Sequence, residues 1–370
     1  MTSVKQYVGL DVHKDSIAIA VAPGGPGLEV HDRGVIPHDV TRLLNRIKAW
    51  GRPEDLFVAY EAGPTGYGLY HALSEAGISC IVVAPSKTPI RPGERVKTDK
   101  RDARKLARYL RSGELVAVSP PGKELEALRD AVRARDDAVR AQRSARQNLS
   151  GFLLRHGRVW PERTKWTGKY LDWVRTQRFD CEPQRQVLED YYQEVLRLTK
   201  RVAAWDEDIA RYAEQCQEAL PYYRAFQALK GVASIVSATL IAEIHDFKRF
   251  ESASRLMSYV GLTPSEYSSG NRTRRGAITK AGNPHVRWKL IQAAWKYVRR
   301  PALTRSLAKR QEGLPEPVCD IAWEAQKRLH RKYTTMIGRG KSKQVAITAV
   351  ARELAGFIWS IAQEVSPRQA

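Results

Sequence analysis

Cysteine is scarce and scattered in this chain of 370 residues: Cys80, Cys181, Cys216 and Cys319 form no CxxC pair and have no histidine at zinc spacing. That excludes a disulfide framework and a structural zinc, and leaves reduced thiols in a cytoplasm as the expectation. No run of about 18 apolar residues occurs, and the polar N-terminus passes directly into a strand pattern, so neither a membrane span nor a secretory leader is expected. Acidic residues are also few, 40 against 62 lysines and arginines, for a formal charge of +22.

What is present is enough for a real core. The hydrophobic fraction is 43%, and the length suits two or three domains. The excess of positive charge implies a polyanionic partner, attracted in a salt-dependent way before any base is read. Charge alone does not separate DNA from RNA, nor either from a generally basic protein such as a ribosome-associated factor.

Along the chain, Tyr7–Asp11 and Ser16–Val21 read as a strand hairpin, with a third strand within Leu28–Ile36. Val40–Trp50 has the helical spacing of Leu43, Leu44 and Ile47. Leu56–Tyr60 is a buried strand, Gly66–Ala76 a helix and Ile78–Val83 another strand. This order predicts an α/β layer on a mixed sheet. Helix resumes near Thr98, a suitable N-cap. After Pro120-Pro121, two charged helical stretches, Lys123 to about Leu154 and Gln184 to about Ala219, read as a coiled coil or equally as a plain helical bundle, joined by a segment around Trp160, Trp166 and Trp173. From Tyr222 the chain is mostly helical. Gly231 sits between apolar stretches within Ala228–Ile244, as in a helix-hairpin-helix element offering backbone amides to phosphate. Helices are expected at Ser252–Val260 and Pro284–Arg300 with a Gly/Ser/Arg-rich loop between them, and a final amphipathic helix at Val345–Val365.

Two constellations carry chemistry. Asp11 and Glu61 stand at strand ends, and Asp99 and Asp102 lie three apart on one helix face. Together they could offer oxygen donors to hard cations in a phosphoryl-transfer arrangement. Singly, each has a plainer role as a turn cap or a surface ion pair. Jointly they are more telling, because Ser86–Arg111 holds ten basic residues and only three acids, two of them this pair. The second constellation is Gly261–Arg287. From Asn271 to Arg310 there are twelve basic residues and no acid. A serine before glycine in that setting suits a nucleophile on a phosphodiester; alternatively the segment is a phosphate-contacting loop in which Ser268 and Ser269 only hydrogen-bond backbone oxygens. A further cluster comprises Lys327, Arg328, Arg331, Lys332, Arg339, Lys341 and Lys343, either contact surface or solvated helix face.

The motifs Gly9-Leu-Asp11-Val-His-Lys14, Tyr60-Glu61-Ala-Gly-Pro-Thr-Gly66, Lys97-Thr-Asp99-Lys-Arg-Asp102-Ala103, Gly261-Leu-Thr-Pro264, Ser269-Gly270 and Ile278-Thr-Lys-Ala-Gly-Asn283 together resemble the DEDD transposases of the insertion-sequence 110 family. The resemblance implies a RuvC-like, RNase H-type α/β domain over 1–120, a helical coiled-coil insertion over 121–220, and a mostly α-helical transposase domain over 221–370. It implies Mg2+ or Mn2+ on Asp11, Glu61, Asp99 and Asp102, and Ser269 as catalytic serine, with Ser268 adjacent to it. Lys97, Lys100, Arg101, Arg272, Arg274, Arg275, Lys280 and Arg287 are then expected nucleic-acid contacts. The implied partners are donor and target DNA, a structured bridge RNA, and further copies of the chain in a dimer of dimers, in a bacterial cytoplasm and at the nucleoid when acting. The implied reaction is RNA-guided strand exchange through a phosphoserine. A stand-alone RuvC-like nuclease needs only the acids, and a non-catalytic nucleic-acid scaffold needs neither acids nor serine.

Overall fold

A computed structural model of the chain describes residues 5–25, 28–85, 88, 98–269 and 272–365, with the side chains of 267–275 outside that description. The chain divides into two units, Met1–Pro120 and Pro121–Ala370.

In the first unit, alternation of apolar residues builds a six-stranded sheet. Its strands are β1 (Gln6–Val12), β2 (Ser16–Pro23), β3 (His31–Pro37), β4 (Leu56–Glu61), β5 (Ser79–Val83) and β6 (Ala117–Val118), in spatial order β3-β2-β1-β4-β5-β6. β1, β4 and β5 run parallel, whereas β2, β3 and β6 pair antiparallel to their neighbours. The two faces differ in side-chain size. One carries Val8, Leu10, Ile17, Ile19, Val58 and Tyr60 against Leu43 and Ile47 of α1 (Val40–Lys48) and Leu69 and Leu73 of α2 (Gly68–Glu75). The other carries Ala18, Ala20 and Ala22 against Ala103 and Ala107 of α3 (Asp99–Ser112).

Small residues on both sides let α3 lie almost on the strands. A Cβ at Gly9 would stand 2.2 Å from the Ala103 carbonyl oxygen and 2.4 Å from the Ala107 nitrogen, so no larger residue fits at the crossing without moving the helix. Thr98 occupies the N-cap position of α3 in extended conformation but makes no capping bond with its side chain. The third strand starts at His31 rather than Leu28, and the two-residue strand β6 lies in a stretch not expected to be strand.

The second unit is helical. α4 (Lys123–Arg155) and α6 (Glu182–Gln215) pair along their length, with α5 (Gly168–Thr176) crossing at one end. α7 (Leu220–Phe226), α8 (Ser234–Ile244), α9 (Ala253–Tyr259), α10 (Pro284–Ala294), α11 (Arg305–Gln311), α12 (Glu316–Gly338) and α13 (Lys343–Val365) complete it. α10 ends at Ala294 and continues only as a 3₁₀ turn, Trp295–Val298. α13 is long and apolar enough to cross a membrane by composition. Its Ile347, Val350, Leu354, Ile358 and Ile361 are buried, and it packs on α7, α9, α10 and α12, as a core helix does.

The expected Gly/Ser/Arg-rich loop is instead a hairpin, β7 (Pro264–Ser269) and β8 (Arg272–Ile278), paired antiparallel with Ser269 opposite Arg272. The Gly270-Asn271 pair between two short runs is a hairpin signal that the density of arginine and serine obscured. Gly231 also has a packing reason: φ is +86°, and a Cβ there would lie 2.6 Å from the Ala293 carbonyl oxygen. The helix before it ends at Phe226, so Ala228–Lys230 form the turn rather than a helical stretch.

Candidate active site

The sheet register aligns the first two acids. Leu10 pairs with Tyr60 across the parallel strands β1 and β4, so Asp11 and Glu61 are the next residues along the two strands at the same end of the sheet; the groups that act on the Asp11 carboxyl are His13, Asp99 and Asp102. Two residues from Gly9, Asp11 shares its face of the sheet, the face α3 covers. α3 brings Asp99 and Asp102 in its first turn. The close approach at Gly9 therefore sets the distance between strand acids and helix acids.

Electrostatics register the gathering. Burial pushes the Asp11 carboxyl above its ordinary range, His13 pulls it down, and the carboxylates of Asp102 and Asp99 push it up again. Like charges crowded this way call for a cation.

His13 is the group that the sequence reading quoted but did not assign. Its Nε2 lies 3.2 Å from Asp11 Oδ2 and 3.5 Å from Asp99 Oδ1. Among the described residues, Asp11, His13 and Asp99 each offer a ligand atom within 4.8 Å of the others. The β1–β2 turn fixes it: His13 N donates to Ser16 O at 2.9 Å, and His38 Nδ1 donates to the His13 carbonyl at 2.6 Å. A second unassigned residue is Thr88, buried, whose hydroxyl donates to Glu61 Oε1 at 2.7 Å and orients that carboxylate. The set of carboxylate oxygens with one imidazole fits a hard divalent cation. His13 was findable from its place in Asp11-Val-His13; Thr88 had no sequence signal.

Ser269 lies at the end of β7, its side chain outside the described residues, as are those of Ser268, Arg272, Arg274 and Arg275; Lys97 falls outside them altogether. The base of this hairpin is described fully. Gly261 (φ +68°) and Gly282 (φ +76°) stand where its two ends meet: a Cβ at Gly261 would be 2.0 Å from the Ala281 carbonyl oxygen, and one at Gly282 1.8 Å from that of Tyr259. Arg287, expected on phosphate, donates to the carbonyls of Val260 (3.1 Å) and Ala281 (3.3 Å). Asn283 caps α10 through Oδ1 and donates from Nδ2 to Glu243 at 2.6 Å; the Glu243 carboxylate takes a two-point contact from Arg133. Buried Lys289 pairs with buried Asp136 at 2.6 Å. Burial pushes Lys289 down, and Asp136 pulls it back up. Removing one partner from such a buried pair leaves an uncompensated charge, so α10, which follows the hairpin, is tied to α4.

Two family models match along the chain: a DEDD transposase model of the IS110 type over residues 8–157, and the transposase IS116/IS110/IS902 family over residues 223–309. The y4qE protein of Sinorhizobium fredii (strain NBRC 101917 / NGR234), named for a transposase, is 44% identical over 361 residues, covering 97% of this chain and 88% of its own. The chain belongs to the IS110 family of transposases. The transposase for insertion sequence element IS1533 of Leptospira borgpetersenii is 32% identical over 342 residues, covering 90% of this chain and 96% of its own.

In this transposase the remaining expected cations divide. Lys100 is exposed, 3.7 Å from Asp32, and Lys280 is exposed with φ +54° at the foot of the hairpin. Arg101 is exposed on α3. Of the later cluster, Lys327 pairs with Glu324, while Arg328 and Lys332 share Glu353 at 3.0 and 3.2 Å. Part of that cluster is therefore internally compensated.

Proposed function

We propose that the transposase exchanges DNA strands under the guidance of a structured RNA, with Asp11, Glu61, Asp99 and Asp102 holding Mg2+ or Mn2+ and Ser269 acting as nucleophile. The observation that carries this reading is the convergence of Asp11, Asp99 and Asp102 on one corner of the sheet, with the Asp11 carboxyl pushed up by burial and, less, by the carboxylates of Asp102 and Asp99. The bound ion supplies stabilisation of charge on the phosphate oxygens.

Ser269 Oγ attacks phosphorus, one ester bond to a deoxyribose oxygen breaks, and the released oxygen takes up a proton. In the second half, a hydroxyl of the incoming strand gives up its proton and attacks the same phosphorus, its bond to Oγ breaks, and Oγ takes up a proton to restore the serine. Lys100, Arg101, Lys280 and the β8 arginines neutralise phosphates of donor and target DNA. The regions 1–120, 121–220 and 221–370 serve as RuvC-like catalytic, coiled-coil and serine-bearing parts, and the working form is a dimer of dimers. The fold order of β1 to β5, with the antiparallel β1–β2–β3 meander leading into the parallel strands β4 and β5, supports the RuvC-like assignment.

RNA copurification tests the guided reading. The transposase expressed with its flanking non-coding sequence should retain an RNA of defined length, whose internal loops are complementary to the element's ends and to its target. Recovery of ribosomal and transfer RNA alone would contradict it.

A further inference from the structure

The outer end of the α4–α6 pair carries a feature that strand exchange at the serine and the carboxylates does not use. There Trp160, Trp166, Tyr170 and Trp173 cluster, with Trp166 and Trp160 edge to face on Tyr170 at centroid distances of 4.9 and 5.6 Å and Trp173 tilted against Trp160 and Tyr170. Trp166 has φ +68°, a left-handed conformation costly for a bulky residue and held only when its surroundings fix it. Thr167 fixes it from one side by capping α5. On the other side the Arg146 guanidinium lies 5.1 Å from the Trp166 ring centroid.

Arg146 differs from several arginines of these helices. Along the same helices Arg140 pairs with Asp137, Arg135 with Asp206, Arg197 with Glu194 and Arg211 with Asp208. Arg146 Nε is buried without a hydrogen-bond partner. Among the described residues no carboxylate pairs with Arg146 or Arg143. Beside them opens a cavity of about 490 Å³ lined by Val139, Gln142, Arg143, Arg146, Gln147 and Trp166. A smaller one of about 170 Å³, reached past the shared Ser150, is lined by Arg158, Lys165, Trp160 and Trp173 among others.

We infer that this end of the helical pair is a second nucleic-acid site, which takes an unpaired nucleotide in the cavity beside Trp166. An aromatic face and a guanidinium plane stack on a base, Gln142 and Gln147 offer hydrogen bonds to its edge, and Arg143 meets the phosphate. A duplex keeps its bases stacked and cannot fill the cavity. Residues 140–178 hold ten lysines and arginines against two acids, so two copies of this end repel each other while any polynucleotide is attracted. Single-stranded RNA and an unpaired DNA strand share the required chemistry.

The full-length transposase should be titrated, by fluorescence anisotropy, with a 20-nucleotide RNA of no secondary structure, the DNA strand of the same sequence, and the corresponding duplex DNA. Arg146→Gln and, at an exposed position that leaves the aromatic cluster intact, Arg143→Glu should each weaken single-strand binding about tenfold and change duplex binding less than twofold. Ultraviolet crosslinking should place the adduct on the peptide holding Trp166. Loss with RNA alone assigns an RNA occupant, and equal loss with both strands assigns any unpaired nucleotide; either supports the site. Equal loss with the duplex would reduce the feature to general charge and overturn the proposal. Unchanged single-strand binding, or a change in oligomeric state instead, would overturn it too. The DNA arm does not depend on RNA guidance, so the site can stand if that reading fails.

Discussion

In the N-terminal unit the candidate acids stand on the ends of two buried parallel strands and on the first turn of a helix pressed against them, while Ser269 stands on a two-stranded hairpin anchored at its root. The carboxylates are placed by packing: Gly9, Ala103 and Ala107 set the helix height, and the β1–β4 register puts Asp11 and Glu61 at the same end of the sheet. The hairpin is placed by glycine geometry and by a polar network, with Gly261 and Gly282 back to back and Asn283, Glu243 and Arg133 locking them. A cation site needs fixed distances among like charges, which a packed core supplies. A nucleophile that must reach a phosphate needs projection from a rigid base.

The largest expected effect separates the two halves chemically. Ser269→Ala and Asp11→Ala should each lower strand exchange on the order of a thousandfold or more. Only Asp11→Ala should also abolish Mn2+ binding measured by titration calorimetry, with DNA affinity nearly unchanged in both. Cleavage retained in Ser269→Ala but lost in Asp11→Ala would favour a nuclease that uses the acids alone. Retention of activity in both variants would leave only a scaffold.

The two glycine positions test the packing contrast next. Gly9→Ala forces a methyl into the α3 backbone and should cost about 3 kcal/mol of stability together with metal affinity. Gly282→Ala, at φ +76° and against the Tyr259 carbonyl, should cost a similar amount and strand exchange, but leave Mn2+ affinity intact. Denaturant unfolding beside calorimetry reads both. If Gly282→Ala also removed metal binding, the separation of the two sites would be wrong.

His13→Ala should weaken Mn2+ binding roughly tenfold without abolishing it, the size expected when one supporting group beside a metal is removed. A change below twofold would make His13 a bystander of the turn.

The smallest effect is on stability. The Asp11 carboxyl is raised in the folded state, so in that range the native protein binds more protons than the unfolded chain. Stability is therefore fully present below the ordinary aspartate range and falls as pH rises through the raised value. In a chelator, Asp11→Asn should melt roughly 2 °C above the wild type near neutral pH, and the difference should shrink on acidification. A variant melting below the wild type at neutral pH would contradict the raised Asp11 carboxyl, held up first by burial and then by Asp102 and Asp99.

Much of the first unit was legible because alternation and strand length are local signals. The apolar runs Tyr7–Leu10 and Leu56–Tyr60 named the two strands and put Asp11 and Glu61 at their ends. The three-residue spacing of Asp99 and Asp102 on a helix within a basic run marked the other two acids, and the family motifs agree with it. His13 stood in the Asp11-Val-His13 motif, but its turn toward the acids depends on the β1–β2 turn latched by His38; Thr88 entered only through tertiary contact, reaching Glu61 across 27 residues of sequence. The hairpin was missed because its strands are polar and basic, without the apolar alternation that marks a half-buried strand. The roles of Gly261 and Gly282 depend on backbones that meet only after folding, so no window of sequence carries them.

The most direct test of the central assignment is to trap the cleaved intermediate. A DNA substrate nicked so that the released strand diffuses away should leave a covalent adduct on the transposase, and peptide mapping should find the phosphate on Ser269, with no adduct formed by Asp11→Ala or Asp102→Ala. An adduct on another residue, or one that forms as readily without those two carboxylates, would contradict it.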